Sequence, residues 1–162
     1  MNPVDAIGIE RVCLRLAVAV LIGGIFGLNR ELHGKAAGLR THALVTLGSA
    51  MVAMIALPPH GGGTETDPNA LGRIIQGILT GVGFLGAGVI LRDPAGHVTG
   101  LTTAATIWVC AGLGIVCGLG YWSLVLMSGG FVLTVLLLGR SVEHVAERIF
   151  KRRQGQPPDH GV

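Results

Sequence analysis

Five long apolar runs constrain this sequence more than any other feature. They occupy residues 12–28, 42–57, 74–91, 101–119 and 123–139. Their lengths approach that of a helix crossing about 30 Å of hydrocarbon. Only 13% of the chain is charged, whereas soluble domains carry roughly a quarter. Because open strands would leave backbone amides unpaired in lipid, each run is predicted to be a helix.

The expected fold is therefore all-α, a polytopic membrane bundle with five transmembrane helices in residues 1–139. The second run is the shortest, and its helix is predicted to begin outside the lipid near Ala37. The third helix is predicted to begin at Pro68 with Asp67 as its cap, since Pro is favoured at the first helical position. Residues 92–100 are read as a loop.

The distribution of lysine and arginine predicts the orientation. Nine of the twelve basic residues fall on the side of the carboxyl terminus. By the positive-inside rule, the amino terminus lies outside and the carboxyl terminus in the cytoplasm. Residues 140–162 are then a cytoplasmic segment: an amphipathic helix with a basic end at residues 151–153, followed by a disordered tail from residue 154.

Composition and motif spacing exclude several functions. Aromatic residues make up 4% of the chain, too few for base stacking, so nucleic-acid binding is not expected. The three cysteines show no zinc or redox spacing. A Gly-x-Gly-x-x-Gly match at residues 81–86 lies inside a span, where it has no dinucleotide-binding context. No nucleophile with a base and an orienting partner appears, so no catalytic residues and no cofactor are expected.

Glycines recur inside the predicted helices, where they let helices approach closely in lipid. Close helix packing is their expected role, and self-association is a further expectation. The predicted helix-packing glycines are Gly23, Gly27, Gly77, Gly81, Gly83, Gly86, Gly88, Gly114 and Gly118.

Polar residues gather at the ends of four predicted helices on one face of the membrane. They are Asn29, Arg30, Glu31, Arg40, Thr41, His42, Arg92, Asp93, Thr102 and Thr103, with Thr106 one turn further in. Three interpretations remain open. The acids could pair with arginines in a collar; Glu31 and Asp93 could help bind Mg²⁺; or the surface could dock another membrane protein. His42 is either a helix anchor or a functional residue.

Four blocks of the sequence resemble the MgtC/SapB family. They are Gly27-Leu-Asn-Arg-Glu31, Ala37-Gly-Leu-Arg-Thr41, Gly81-Val-Gly-Phe-Leu-Gly-Ala-Gly-Val-Ile90 and Gly100-Leu-Thr-Thr-Ala-Ala-Thr-Ile-Trp108. The resemblance implies a bacterial inner-membrane protein of five spans that is linked to growth under magnesium limitation and, in pathogens, to virulence. It also implies regulation of other membrane proteins, including the ATP synthase. Longer members continue into a soluble domain, which is not expected in this chain.

The sequence thus predicts a non-catalytic, magnesium-linked regulator that binds integral membrane proteins. The rival hypothesis is a small ion or solute transporter carrying Mg²⁺, with the polar face as its vestibule. A transporter should place ionisable residues or broken helices near the bilayer midplane. The middle of each predicted span holds mainly glycine and apolar residues.

Overall fold

The computed structural model describes residues 8–57, 68–92, 94 and 96–153, with side chains up to residue 139. The chain divides into two units, Met1–Leu126 and Met127–Val162. Each unit is described by itself. The predicted Asp67 cap, Asp93 and the tail from residue 154 lie outside the described residues.

Five helices make up nearly all of the described chain, which confirms the all-α membrane bundle. They are α1 (Ile9–Leu32), α2 (Leu39–Met54), α3 (Pro68–Val89), α4 (Leu101–Leu119) and α5 (Trp122–Arg153). Four are long and apolar enough to cross a membrane: α1, α3, α4 and the Trp122–Gly139 part of α5. The 16-residue α2 covers about 24 Å, less than the others, and turns follow it to Leu57.

A short hairpin connects α3 to α4, where the sequence predicted only a loop. Strand β1 (Leu91–Arg92) pairs antiparallel with β2 (Val98–Thr99). Gly100 follows with φ +88°, a conformation that side chains rarely adopt. Strands of two residues give no periodic signal, so the sequence pattern could not reveal them. The hairpin holds the end of α3 beside the start of α4.

Glycines lie where α1, α2 and α4 approach one another, at Gly23, Gly27, Gly114 and Gly118. A β-carbon at Gly27 would lie 2.6 Å from Leu39 Cα. A β-carbon at Gly23 would also lie too close to the α2 backbone, as would β-carbons at Gly114 and Gly118 on α4. Bare glycine therefore lets the three backbones approach more closely than any side chain would permit.

The glycines of α3 behave differently from this prediction. A β-carbon at Gly86 would make ordinary contact with Ala104 at 3.6 Å. At Gly77, Gly81, Gly83 and Gly88, no atom of the described neighbouring segments lies within 4 Å of that position. Packing inside the described part of the chain is thus not found for these four, because Val82 and Gly86 are the two buried residues of α3.

Candidate functional site

Arg30 lies in the last turn of α1 and is 6% exposed. Its Nη2 donates a hydrogen bond of 2.7 Å to Thr103 Oγ1 on α4. Its Nε has no hydrogen-bond partner among the described residues. The sequence placed Arg30 at the membrane surface, but it follows Gly23 and Gly27 on the same buried stripe of α1. This i, i+4, i+7 spacing places the three residues on one face of a helix, and it is the sequence feature that could have predicted the burial of Arg30.

His42 is fully buried in the first turn of α2. Its Nδ1 lies 2.9 Å from Gly38 O and its Nε2 lies 3.2 Å from Thr106 Oγ1. A carbonyl oxygen only accepts hydrogen bonds, so Nδ1 must carry a proton. His42 therefore links α2 to α4 through Nε2, whereas Nδ1 bonds to the residue that precedes its own helix.

The hydroxyl groups of Thr106 and Thr46 complete a buried hydrogen-bond network. Thr106 Oγ1 also lies 2.8 Å from Thr103 O, so its single proton is donated either to that carbonyl or to His42 Nε2, and Thr46 Oγ1 donates to His42 O. We name Arg30, His42, Thr46, Thr103 and Thr106 the polar cluster; all five are buried. Thr46 was missed from the sequence, although it lies one turn after His42. Because buried polar groups are costly unless bonded, the cluster fixes how α1, α2 and α4 meet.

Glu31 does not form the expected ion pair with an arginine in the described part of the chain. Its Oε2 accepts a hydrogen bond of 2.9 Å from Leu39 N, at the start of α2. Gly38 precedes that helix and has no side chain to cap it. A carboxylate stabilises a helix amino terminus by accepting its free N–H groups. The acid thus closes the loop between α1 and α2.

The remaining predicted residues lie around this cluster. Asn29 is half-buried, and its carbonyl accepts a hydrogen bond from His33 Nδ1 at 2.6 Å. Four others are exposed: Arg40, Thr41, Arg92 and Thr102. The described residues bring no three His, Cys, Asp or Glu side chains together. Since Asp93 lies outside them, the Mg²⁺ site stays a prediction.

A second polar contact joins α1 to α4 at the opposite end of both helices. Arg15 Nη1 donates a hydrogen bond of 2.6 Å to Gly118 O. The last carbonyls of a helix lack partners within it and attract cations. In the sequence, Arg15 contributes only to the charge distribution, because its hydrogen-bond partner lies 103 residues away.

Comparison with known proteins identifies one matching family and several relatives. Residues 16–145 match the MgtC family. Protein SrpB of Synechococcus elongatus is 44% identical over 82% of this chain and 76% of its own length. Protein MgtC of Salmonella typhimurium is 40% identical over 84% of this chain and 54% of its own length.

Protein MgtC of Brucella abortus is 35% identical over 91% of this chain and 59% of its own length. The chain therefore spans little more than half of the MgtC proteins that it matches. No solved structure matches it. The family match covers α2, α3 and α4 completely and most of α1 and α5, together with the whole polar cluster. The chain belongs to the MgtC family.

Proposed function

We propose that this protein is a non-catalytic component of the bacterial inner membrane that regulates other integral membrane proteins when magnesium is scarce. The magnesium link comes from the family resemblance. Its relatives include MgtC proteins of two bacteria. The ATP synthase is one partner that the resemblance suggests, and a second copy of this chain is another.

The outward face of α3 carries the proposal. Glycine inside a soluble helix costs about 0.5–1 kcal/mol relative to alanine, and its use in lipid is to admit another helix closely. Gly23 and Gly114 each have such a neighbour within the chain. Gly77 and Gly81 have none among the described residues. These glycines are therefore suited to receiving a helix from another protein.

The surroundings of those glycines fit the same role. A groove of about 400 Å³ runs between α2 and α3. Its walls are apolar or small apart from Ser49, and they are formed by Leu44, Val45, Gly48, Ser49, Val52, Gly77, Ile78, Gly81, Val82 and Leu85. Beside it, Phe84 is 82% exposed. An apolar helix with one large side chain matches this shape better than a polar solute does.

Filling the α3 face tests the proposal. The double variant Gly77→Leu with Gly81→Leu should fold, because both positions are open. We expect it to abolish complementation of low-magnesium growth in a strain lacking its own copy. The matched control is Gly24→Leu with Gly112→Leu, which are also open positions. Normal growth of the α3 variant at normal membrane abundance would contradict the proposal.

Crosslinking identifies the partner. A photoreactive residue at Phe84 should capture one membrane protein in native membranes, whereas the same residue at Leu21, exposed on α1, should not. Capture of a second copy would identify the partner as this chain itself. Identical products from both positions would argue against a specific face.

The orientation follows from charge. We place the carboxyl terminus in the cytoplasm, since basic residues are enriched on its side. A carboxyl-terminal tag should resist protease added to intact spheroplasts and should be cleaved after lysis. Cleavage in intact spheroplasts would reverse the orientation.

A transporter is the second candidate, because ionisable residues buried among membrane helices often mark transport paths. Arg30 and His42 are such residues. We expect purified protein in liposomes to show no magnesium flux above that of empty vesicles. A saturable flux that His42→Ala abolishes would replace the regulatory proposal with a transporter.

A further inference from the structure

We propose that the amino terminus of α4 binds a phosphate oxyanion, held jointly by the Arg30 guanidinium and by the first backbone amides of the helix. This inference does not depend on the regulatory role. The site lies where the last turn of α1 meets the first turn of α4.

The start of α4 offers backbone donors that no side chain of the described residues caps. Gly100 precedes the helix and makes no capping hydrogen bond. The first backbone hydrogen bond into this turn is donated by Ala104, to Gly100 O. The earlier N–H groups, including those of Thr102 and Thr103, cannot bond within the helix. They also form the positive pole of the helix dipole.

Arg30 adds a full positive charge at this pole. Its Nη2 is bonded to Thr103 Oγ1 at 2.7 Å, so the guanidinium lies against the first turn of α4. The side chain is more than nine-tenths buried, and its Nε lacks a partner in the described part of the chain. A buried cation beside a positive helix end is costly without a counter-charge. A bound anion would neutralise both at once.

The start of α2 shows how the chain treats a helix end when it supplies the anion itself. There the Glu31 carboxylate accepts the hydrogen bond from Leu39 N. Glu31 is thereby committed to α2 and does not neutralise Arg30. The amino terminus of α2 is thus bonded to a carboxylate, whereas the amino terminus of α4 has an arginine beside it.

The donor set favours phosphate oxygens. Guanidinium groups bind phosphate through several parallel N–H donors, and helix amino termini bind phosphate through backbone N–H groups. Arg30 lies two residues before α1 ends, and Thr103 two residues after α4 begins. A site at helix ends is accessible to two sources of this group: a phospholipid headgroup and dissolved inorganic phosphate.

Backbone amide signals test the site in the unmodified protein. The full chain, labelled with ¹⁵N-threonine in maltoside detergent, is titrated at constant ionic strength. One arm uses inorganic phosphate and the other uses dihexanoyl phosphatidylglycerol. We expect saturable shifts of the Thr102 and Thr103 amides and none of Thr134, which lies on α5. Saturation by the lipid alone identifies the headgroup as the source, and saturation by phosphate alone identifies the dissolved ion.

Variants separate a specific site from general attraction. Arg30→Gln should weaken binding at least tenfold, whereas Lys35→Gln, which removes an exposed charge from the adjoining loop, should change it less than twofold. Equal weakening by both variants would overturn the proposal, as would non-saturating shifts in both arms. If Arg30→Gln fails to fold, the threonine shifts of the unmodified protein decide.

Asp93 provides the last control. If the unmodified protein binds neither probe and Asp93→Asn binds phosphate, a carboxylate of the chain itself already neutralises Arg30, and the proposal is wrong. If Asp93→Asn and the unmodified protein bind alike, the anion comes from outside the chain as proposed.

Discussion

Replacing Gly23 with alanine tests whether bare glycine sets the distance between α1 and α2. A β-carbon there would lie 2.6 Å from His42 O and 2.8 Å from Ala43 Cα. Both are backbone atoms, so they cannot rotate away. The next residue, Gly24, has no such atom within 4 Å among the described neighbours. Alanine at Gly24 is therefore a matched control one position along the same helix.

The structure sets the expected size of the difference. To restore ordinary contact, α1 and α2 must separate by roughly 0.5–1 Å, which forfeits about a quarter to a half of the dispersion energy at that interface. Overpacking of this kind costs about 1–3 kcal/mol. Gly24→Ala should instead stabilise the helix by up to about 1 kcal/mol. The two variants should then differ by about 1–4 kcal/mol, roughly 5- to 1,000-fold in the folding equilibrium constant.

Unfolding in mixed micelles measures this difference. Each variant is titrated with sodium dodecyl sulfate in a mild detergent, and helix content is followed by far-ultraviolet circular dichroism. Gly23→Ala should unfold at a clearly lower fraction of dodecyl sulfate than the unmodified protein, and Gly24→Ala at the same or a higher fraction. Coincident curves for the two variants would refute the claim that Gly23 limits the helix spacing.

Three further predictions use the same unfolding assay. Thr106→Val should destabilise the chain by about 1–3 kcal/mol, because it leaves His42 Nε2 without its partner; an unchanged midpoint would mean that this bond contributes nothing. Glu31→Ala should cost about 1 kcal/mol through loss of the α2 cap, and Glu31→Asp, whose shorter side chain does not reach, should behave similarly; full stability of both would contradict the capping role. Arg15→Met, which keeps the apolar stem, should cost about 1.5–3 kcal/mol by removing the charged hydrogen bond to Gly118 O; stability equal to that of the unmodified protein would show that packing alone suffices there.

The helices were predictable because lipid imposes one requirement on every span, namely a sufficient apolar length. The run at residues 101–119 matches α4 residue for residue, since Gly100 and Gly120 bound it. α3 is helical from Pro68, the first residue described after residue 57, and its start at Pro68 stays a prediction. By contrast, the hairpin beside α4 has strands too short for any periodic pattern, and the 16-residue α2 begins and ends three residues before its apolar run of the same length.

The sequence predicted polar residues at one group of helix ends, but it did not predict the hydrogen-bond partners that the structure gives to Arg30 and His42. Arg30 was expected at the surface beside an acid, and it lies buried against Thr103. Glu31 was expected beside an arginine, and it caps α2. Thr46 was not considered. Each outcome depends on how far a helix is rotated about its own axis, and hydropathy fixes that rotation poorly in helices that are apolar all round.

By itself, the sequence determined that this chain is a helical membrane protein of a known family, because apolar length and ordered motifs are local properties. The tertiary structure alone decided which residues meet. Arg30 and Thr103 are 73 residues apart in sequence, and His42 and Thr106 are 64 apart. Glycine contacts bring α1, α2 and α4 close enough for these side chains to bond, and those contacts exist only once the helices have packed.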